Sequence, residues 1–314
     1  MFLMKGFDFL KRIAITAIIL ILFLCGCNRT EDSLSSSDFS SSQIQQEIIS
    51  SQQSLISSEV MSSEASSSSQ TSSTPQSSQF SQYDNTKRDW GQGTNVNAQN
   101  QPLNCLNFAK QYGQYDAYFI APSAPKKVYL TFDLGYENGY TEKIVNTLNE
   151  KNAIGVFFVT YDYYRASPHI VKKIVEDGHI LGNHTKKHPS LPTVSEQRVI
   201  DEIMFVHDLI KQEYDYDMVF FRPPMGQFSH RSLKITQSLG YKSIFWSFAY
   251  KDWETDNQPD PVYAKNKIIN AAHDGCIYLL HAVSKTNADI LGDVIDGLRN
   301  KGFEIADLRE LNGQ

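Results

Sequence analysis

Val128-Tyr-Leu-Thr-Phe-Asp133 is a short run of aliphatic, aromatic and β-branched residues that ends in a carboxylate. Its apolar residues run together instead of alternating with charged ones, which is typical of a strand buried on both faces of a parallel sheet. Similar runs recur along the chain at Gly155–Thr160, Ile180–His184, Val219–Pro223, Ser243–Ser247, Cys276–His281 and Phe303–Ile305. Together these seven runs predict seven buried strands.

Helix-length segments separate the predicted strands, among them Tyr140–Lys151, Ser195–Glu213 and Asn287–Lys301. In the second of these segments apolar residues recur at spacings of three and four, which predicts an amphipathic helix. Strand and helix that alternate about seven times favour a parallel sheet that curls into a barrel. The predicted fold class is therefore α/β, a distorted, incompletely closed (β/α) barrel of about seven parallel strands.

Polar side chains follow the predicted strands at the points where the strands end. In a parallel barrel the active site lies at the carboxyl ends of the strands, so these side chains should converge on one rim. They are two aspartates, three histidines, an arginine and a tryptophan: Asp133, His184, His188, Arg222, Asp252, Trp253 and His281. A rim built for stability alone would rarely carry this set, so the convergence predicts a catalytic site.

Each of these residues also has a structural explanation when it is taken alone. His184 and His188 are four residues apart, so on one turn of helix they would face the same way, as in zinc-binding helices. A single pair at this spacing occurs more often without a metal. His281 at the end of an apolar strand also fits a buried core histidine, and Asp133 also fits the cap of a following helix.

Five motifs in this order resemble those of the polysaccharide deacetylases, the NodB-homology domain of carbohydrate esterase family four. They are Tyr129-Leu-Thr-Phe-Asp-Leu-Gly135, Gly182-Asn-His-Thr-Lys-Lys-His188, Arg222-Pro-Pro-Met-Gly226, Asp252-Trp253 and Leu279-Leu-His281. A further stretch, Gly135-Tyr-Glu-Asn-Gly-Tyr-Thr141, is similar to the subgroup that removes acetyl groups from muramic acid in peptidoglycan, including makers of the muramic δ-lactam of spore cortex. The resemblance extends from Trp90 to Leu308, and the motifs lie within residues 126–310.

This resemblance implies a hydrolase that removes N-acetyl groups from peptidoglycan amino sugars with the help of a divalent metal ion, zinc before others. His184 and His188 would bind the metal ion, which polarises the acetyl carbonyl and the attacking water. Asp133 would be the general base that takes the proton of the water. Arg222 would hold Asp133 ionised and oriented.

The same resemblance makes His281 the general acid that protonates the departing amine. Asp252 would raise the pKa of His281 so that the imidazole is protonated near neutrality. Trp253 would pack beside His281 at the substrate, and backbone N–H groups near Tyr136 would stabilise the oxyanion.

One position departs from the family pattern. Leu134 stands where the first family motif normally has a second aspartate, the third metal ligand. Catalytic zinc sites usually have three protein ligands, so two histidines alone should bind the metal weakly. Glu137 or water could complete the shell, or Asp133 could be drawn onto the metal. One alternative is therefore a wall-binding protein without catalysis; the other is a deacetylase of chitin or xylan, against which Gly135–Thr141 argues.

The N-terminus has the layout of a secretory signal, in which a basic segment precedes the apolar run Ile13–Leu24. That run is shorter than the roughly 20 residues of a membrane-spanning helix. It ends at Leu24-Cys-Gly-Cys27, which resembles the bacterial lipobox and implies cleavage before Cys27 and acylation of its sulfur. We expect residues 1–26 to be a lipoprotein signal peptide and the mature protein to be anchored outside the cytoplasm, facing the cell wall. An ordinary signal peptide with an incidental cysteine is the alternative.

The rest of the chain divides by composition. Residues 27–86 are rich in serine and glutamine and predict a flexible tether, and residues 87–314 predict the deacetylase domain. A formal net charge of −6 gives the chain no electrostatic reason to bind nucleic acid. The expected partners are peptidoglycan glycan strands and, through Cys27, the membrane, and we expect a monomer. Cys105 and Cys276 are expected to remain unpaired, because Cys276 lies in an apolar run.

Overall fold

The computed structural model describes residues 79–122 and 124–313. The predicted signal peptide, Cys27 and most of the predicted tether lie outside these ranges. None of the helices in the described part of the chain is long and apolar enough to cross a membrane.

The described residues form ten strands in two sheets. In chain order these are β1 (Arg88–Asp89), β2 (Ala117–Tyr118), β3 (Lys127–Leu134), β4 (Gly155–Val159), β5 (Ile180–Asn183), β6 (Phe220–Phe221), β7 (Gln227–Phe228), β8 (Lys242–Ile244), β9 (Cys276–His281) and β10 (Glu304–Ile305). The main sheet has the order β10-β3-β4-β5-β6-β8-β2, with β9 paired to β3, and its pairings are parallel. β1 and β7 form a separate antiparallel pair.

The predicted fold class is confirmed. Each of the seven predicted strands overlaps one observed strand, and all of them lie in one curled, incompletely closed parallel sheet. A single bridge between Phe248 and Tyr278 brings the segment after β8 against β9. β2 is an additional member of the sheet that was not predicted.

Helices alternate with the strands of the main sheet. Among the described residues they are α1 (Leu103–Tyr112), α2 (Thr141–Glu150), α3 (Tyr161–Ala166), α4 (Pro168–Glu176), α5 (Glu196–Tyr214), α6 (His230–Ser238), α7 (Pro261–Asn270) and α8 (Lys285–Asn300). Short 3-10 turns occupy Gly113–Tyr115, Leu191–Thr193, Pro224–Gly226 and Leu308–Gly313. α5 buries the predicted apolar stripe, and Ser195 caps it by accepting a hydrogen bond from the backbone N–H of Arg198.

The register of the parallel strands brings the candidate site residues to one level. Asp133 at the end of β3 pairs with His281 at the end of β9. Asn183 at the end of β5 pairs with Phe221 at the end of β6. The residues that directly follow these two strands therefore start from the same edge of the sheet, as the barrel prediction required.

The folded part of the chain begins before residue 87. Phe80 is buried in the main hydrophobic cluster, and the carbonyl of Asp84 accepts a hydrogen bond from the N–H of Arg231. Residues 79–86, which their composition placed in the tether, therefore pack on the domain, because Phe80 supplies an apolar anchor. Cys105 and Cys276 are buried free cysteines, in agreement with the preference for unpaired thiols.

Candidate active site

Asp133 and Arg222 form an ion pair at the carboxyl end of β3. Nη1 of Arg222 donates to Oδ1 of Asp133 over 2.7 Å. The other guanidinium nitrogens donate to Oγ1 of Thr131 over 2.7 Å and to the carbonyl of Ile244 over 2.9 Å. The Arg222 side chain is fully buried, and its guanidinium carbon lies 4.2 Å from the ring centroid of Phe158. These contacts hold Arg222, and with it Asp133, in one orientation.

The charge state of Asp133 follows from its neighbours. Burial raises the pKa of the carboxyl, but the positive charge of Arg222 and the charges of nearby histidines outweigh burial, so the pKa lies below its usual value. Oδ2 of Asp133 is 3.6 Å from Nε2 of His184. An ionised carboxylate with one oxygen on this side can accept a proton from a water molecule in the site.

His184 and His188 converge, with their Nε2 atoms 3.1 Å apart. Nδ1–H of His184 donates to the carbonyl of Arg222 over 2.8 Å. Because a carbonyl only accepts, the neutral His184 ring carries its proton on Nδ1 and leaves Nε2 unprotonated. Burial lowers the pKa of His184 to about 4 and also lowers the pKa of His188, so both rings are neutral near neutrality.

The two histidines lie on a turn and not on a helix, so their convergence does not come from the helical spacing of four residues. Thr185 and His188 have left-handed backbone angles, with φ of 71° and 54°. This conformation is unusual for the β-branched Thr185 in particular. The N–H of Thr185 donates to Oδ1 of Asn183 and the N–H of His188 donates to Oγ1 of Thr185, both over 2.9 Å. The N–H of Lys187 donates to Oε2 of Glu202 over 2.6 Å. Side chains thus hold the turn that makes the rings converge.

The histidine pair offers two metal ligands. The 3.1 Å between the two Nε2 atoms is a separation that two metal–nitrogen bonds of about 2.0–2.1 Å can span. A hydrogen bond from the other ring nitrogen to a carbonyl, as in His184, is typical of ligating histidines. Among residues 79–122 and 124–313, no group of three or more His, Cys, Asp or Glu side chains is arranged to hold a metal ion. The residues therefore fit part of a metal shell.

His281 and Asp252 form the second ion pair of the site. Nδ1–H of His281 donates to Oδ1 of Asp252 over 2.7 Å, and the N–H of His281 donates to Oδ2 over 2.9 Å. Burial lowers the pKa of His281, but the hydrogen bond and charge of Asp252, together with the charge of Asp133, raise it above its usual value. The raised pKa favours the protonated ring, which can donate from Nε2.

One cavity of about 830 Å³ joins these groups, which is an ordinary size for a ligand site. Its lining includes the general base, the histidine pair and the general acid of the sequence prediction: Asp133, His184, His188 and His281. Tyr136 and Trp253 also line it, and they are 54% and 49% exposed. The ring of Trp253 lies 5.5 Å from that of His281. Six of the predicted site residues therefore meet at one cavity; Arg222 and Asp252 are fully buried behind Asp133 and His281 and, like Glu137, do not line it.

The sequence profile of the polysaccharide deacetylases matches residues 121–244. Over 228 residues the chain is 39% identical to the peptidoglycan-N-acetylmuramic acid deacetylase PdaA of Bacillus subtilis (strain 168), an alignment that covers 71% of this chain and 85% of the relative. The chain belongs to the polysaccharide deacetylase family. Enzymes of this family are hydrolases that act on N-acetyl C–N bonds, and they generally depend on a metal ion.

Solved structures agree with this membership. The structure of Bacillus subtilis PdaA, a family 4 carbohydrate esterase, matches with a TM-score of 0.69 and 37% identity, over 73% of this chain and 98% of that chain. A family 4 carbohydrate esterase from Bacillus anthracis matches with a TM-score of 0.61 and 34% identity, over 74% and 98% of the two chains. The family resemblance of the five sequence motifs is confirmed.

Leu134 and Glu137 are placed differently from the other predicted site residues of this deacetylase. Leu134 is fully buried in the main hydrophobic cluster and does not line the cavity. Glu137 accepts hydrogen bonds from Oγ1 of Thr141 and from the hydroxyl of Tyr163, both over 2.5 Å, and from the N–H of Gly139 over 2.6 Å. Burial raises the pKa of Glu137, but these hydrogen bonds lower it overall. Glu137 therefore holds the start of α2 and does not face the histidine pair.

Two buried residues of the deacetylase site escaped the sequence prediction. Asn287 of α8 donates from Nδ2 to Oδ2 of Asp252 over 2.6 Å and accepts a hydrogen bond from the hydroxyl of Tyr250. Glu202 of α5 is fully buried beside Arg198, 2.5 Å away. Glu202 lies on the apolar stripe of its helix, and a carboxylate at that position was the available signal. Nothing in the local sequence distinguishes Asn287.

Proposed function

We propose that this protein removes the acetyl group from N-acetylmuramic acid residues of peptidoglycan outside the cytoplasm. The observation that carries the proposal is the presence of two oriented groups at one cavity, the carboxylate of Asp133 held by Arg222 and the imidazole of His281 held by Asp252. The sugar and the polymer follow from the similarity to the muramic acid deacetylase.

His184 and His188 would hold a divalent metal ion, for which we propose zinc. When bound, the ion polarises the acetyl carbonyl and favours the ionisation of water. The protein supplies two neutral imidazoles whose pKa values burial keeps low, so protons compete little for the ligand nitrogens. Water, or Asp133 through Oδ2, is the remaining source of ligands in the described part of the chain.

Asp133 acts as the general base in this proposal. As the oxygen of water forms a bond to the acetyl carbon, Oδ2 of Asp133 takes one proton of the water. Arg222 keeps the other carboxylate oxygen hydrogen-bonded, so Asp133 cannot rotate away from the reacting water. Backbone N–H groups near Tyr136 stabilise the oxyanion that forms on the acetyl oxygen.

His281 acts as the general acid. It gives the proton on Nε2 to the amine nitrogen while the C–N bond breaks, so that acetate and the free amine leave. Asp252 keeps the ring oriented through Nδ1, and Trp253 covers one side of it. The freed amine lies next to the lactyl carboxyl of the same sugar, the arrangement from which a muramic δ-lactam forms by loss of water.

Acetate release from purified peptidoglycan tests the proposal. We expect acetate release that EDTA stops and added zinc restores, with free amines on muramic acid in the amino-sugar analysis. His281→Ala should lower turnover by roughly 10²–10⁴-fold and leave the fold intact, because a methyl group replaces a side chain at the cavity. Full activity of His281→Ala would remove this residue from the mechanism.

A wall-binding protein without catalysis is the second candidate, and Leu134 favours it. The burial of this leucine leaves the histidine pair without the usual third ligand, as described above. If the purified protein binds peptidoglycan but releases no acetate at any added divalent metal, this candidate replaces the enzyme.

A further inference from the structure

The turn between the two histidines carries two lysines to the wall of the cavity. Lys186 and Lys187 both line it, on the side of Thr160 and Asp162, next to His184 and His188. We propose that Lys186 and Lys187 form a carboxylate-binding subsite that recognises the lactyl carboxylate of the sugar being deacetylated. This inference rests on the proposed function, and it names the feature of the substrate by which the site selects muramic acid over glucosamine.

The charges at this end of the cavity are unevenly matched. Nζ of Lys187 lies 2.7 Å from Oδ1 of Asp162, so one cation is already paired. Nζ of Lys186 lies 3.6 Å from the ring centroid of Phe205 and forms no ion pair within the described residues. Lys251, which also lines the cavity, is paired with Glu254 over 2.6 Å. Lys186 also lines a second, smaller pocket with Asp201 and Asp208, and of the three lysines of the cavity it is the one that forms no ion pair within the described residues.

The backbone that carries the two lysines is fixed. The N–H of Lys186 donates to the carbonyl of Glu202 over 3.0 Å, and the N–H of Lys187 donates to Oε2 of Glu202 over 2.6 Å. The aromatic face of Phe205 further restricts the ammonium group of Lys186. Two cations that are held in this way lose less conformational freedom when they bind an anion than two lysines on a mobile loop would.

The chemistry of the substrate places a carboxylate near the reacting acetyl group. In N-acetylmuramic acid the carbon next to the acetamido carbon carries a lactyl ether, so its carboxylate lies close to the acetyl group that reacts at Asp133. N-acetylglucosamine has a hydroxyl group there and offers no anion. A carboxylate that enters beside the histidine turn would contact the ammonium groups of Lys186 and of Lys187, which remains paired with Asp162. Both lysine side chains are partly exposed to water.

A matched pair of substrates tests the subsite. One is a glycan oligosaccharide with free lactyl carboxylates, and the other is the same oligosaccharide with these groups converted to methyl amides. For the double variant Lys186→Gln, Lys187→Gln we expect KM for the free acid to rise by about three- to tenfold, as for partly exposed charge pairs, with kcat unchanged. KM for the amide should not change. Lys172→Gln removes a similarly exposed and ion-paired lysine on α4, and KM for both substrates should stay the same.

Direct binding keeps this inference separate from the proposed function. Trp253 lies half-exposed at the cavity, so its fluorescence can report the binding of N-acetylmuramic acid and of N-acetylglucosamine without turnover. The subsite is supported if the wild type binds N-acetylmuramic acid more tightly than N-acetylglucosamine, if the double glutamine variant loses this preference, and if Lys186→Arg, Lys187→Arg retains it. This result would hold even if no acetate is released. If the double variant binds or turns over the acid as well as the wild type does, the subsite is overturned, whatever the activity of the enzyme.

Discussion

His281 carries two opposed influences on its pKa. Burial disfavours the charged imidazolium, whereas the hydrogen bond and charge of Asp252, with the charge of Asp133, favour it and prevail. A raised pKa means that His281 keeps its proton to a higher pH than an ordinary histidine and loses it as the pH rises through the raised value. In the proposed mechanism, the high-pH limb of the rate profile therefore reports the interaction between His281 and Asp252.

Asp252→Asn should move that limb to lower pH. The substitution keeps the shape of the side chain but removes the negative charge, so the effect of burial dominates and the pKa of His281 falls. kcat/KM for acetate release should then decline from a lower pH than in the wild type, with a reduced maximum. Asn287→Ala is the matched control, because it removes the hydrogen bonds of the Asn287 amide, among them the one to Oδ2 of Asp252, but leaves the charge of Asp252 in place. A high-pH limb that stays in place in Asp252→Asn would show that another group is the acid.

Leu134→Asp should destabilise the metal-free protein. Leu134 is fully buried among apolar side chains, so a carboxylate at this position loses its hydration without an assured partner. The expected loss in the free energy of unfolding is about 3–5 kcal/mol, measured by denaturation in EDTA. Leu134→Ala, with a loss of about 2–5 kcal/mol, controls for the lost packing.

Added zinc then separates two possibilities for position 134. If zinc restores the stability of Leu134→Asp but not that of Leu134→Ala, the new carboxylate joins His184 and His188 as a third ligand. If zinc restores neither, position 134 belongs to the core alone. An unfolding free energy of Leu134→Asp equal to that of the wild type in EDTA would contradict the burial argument.

At the scale of single elements, the histidine turn depends on α5. Glu202 is fully buried, accepts the N–H of Lys187 and lies 2.5 Å from Arg198. The left-handed conformations of Thr185 and His188 are costly unless surrounding contacts impose them. The convergence of the two rings is thus maintained by a helix that lies outside the cavity.

Glu202→Gln should weaken metal binding more than it weakens the fold. The amide oxygen of glutamine can still accept the hydrogen bond from the N–H of Lys187, but an uncharged acceptor forms a weaker bond, so the turn is held less tightly. We expect zinc affinity to fall by about 10–100-fold, the effect typical of outer contacts around metal ligands. Calorimetric titration with zinc measures it, and Glu213→Gln at the exposed end of the same helix is the control. Equal zinc affinity of Glu202→Gln and the wild type would show that the turn holds itself.

The parts of this fold that local sequence determines were predictable. β3 and β9 are long apolar runs whose carboxyl ends must meet in a parallel sheet, so the proximity of Asp133 and His281 followed from the sequence. The conformation around His184 and His188 did not follow, because it is fixed by contacts with the side chains of Asn183 and Glu202. Glu137 was misplaced for the same reason, since Tyr163, its partner, is 26 residues away.

At the scale of the whole molecule, the cavity also depends on residues that precede the matched family region. Nε1 of Trp90 donates to the carbonyl of Trp246 over 3.0 Å. The amide of Gln92 donates to the carbonyl of Ala249 over 3.0 Å and accepts from Nε1 of Trp246 over 3.1 Å. Trp90 and Gln92 both line the cavity. The segment that leads from the predicted tether into the domain therefore completes the wall of the site.

The predicted tether can hold the domain near the membrane only if its N-terminal end is anchored there. Cys27→Ser tests this anchor. Cys27 lies outside the described residues, so this prediction rests on the lipobox-like Leu24-Cys-Gly-Cys27. Acyl chains on its sulfur would each contribute about 0.8 kcal/mol per buried methylene group, enough together for stable attachment. Wild-type protein should sediment with membranes, and Cys27→Ser protein should lose that retention.

Cys25→Ser is the matched control for the anchor, because it changes a neighbouring cysteine that the lipobox reading leaves unmodified. It should partition like the wild type. Wild-type protein in the presence of a soluble muramic acid oligosaccharide should also stay with the membranes, because the proposed retention depends on the lipid and not on the cavity. Metabolic labelling with a fatty acid should mark the wild type and Cys25→Ser but not Cys27→Ser. If Cys27→Ser protein stays wholly with the membranes, the apolar run Ile13–Leu24 is itself the anchor. The tether would then follow an uncleaved apolar segment. The domain would still be held at the membrane, but by this segment and not by acyl chains.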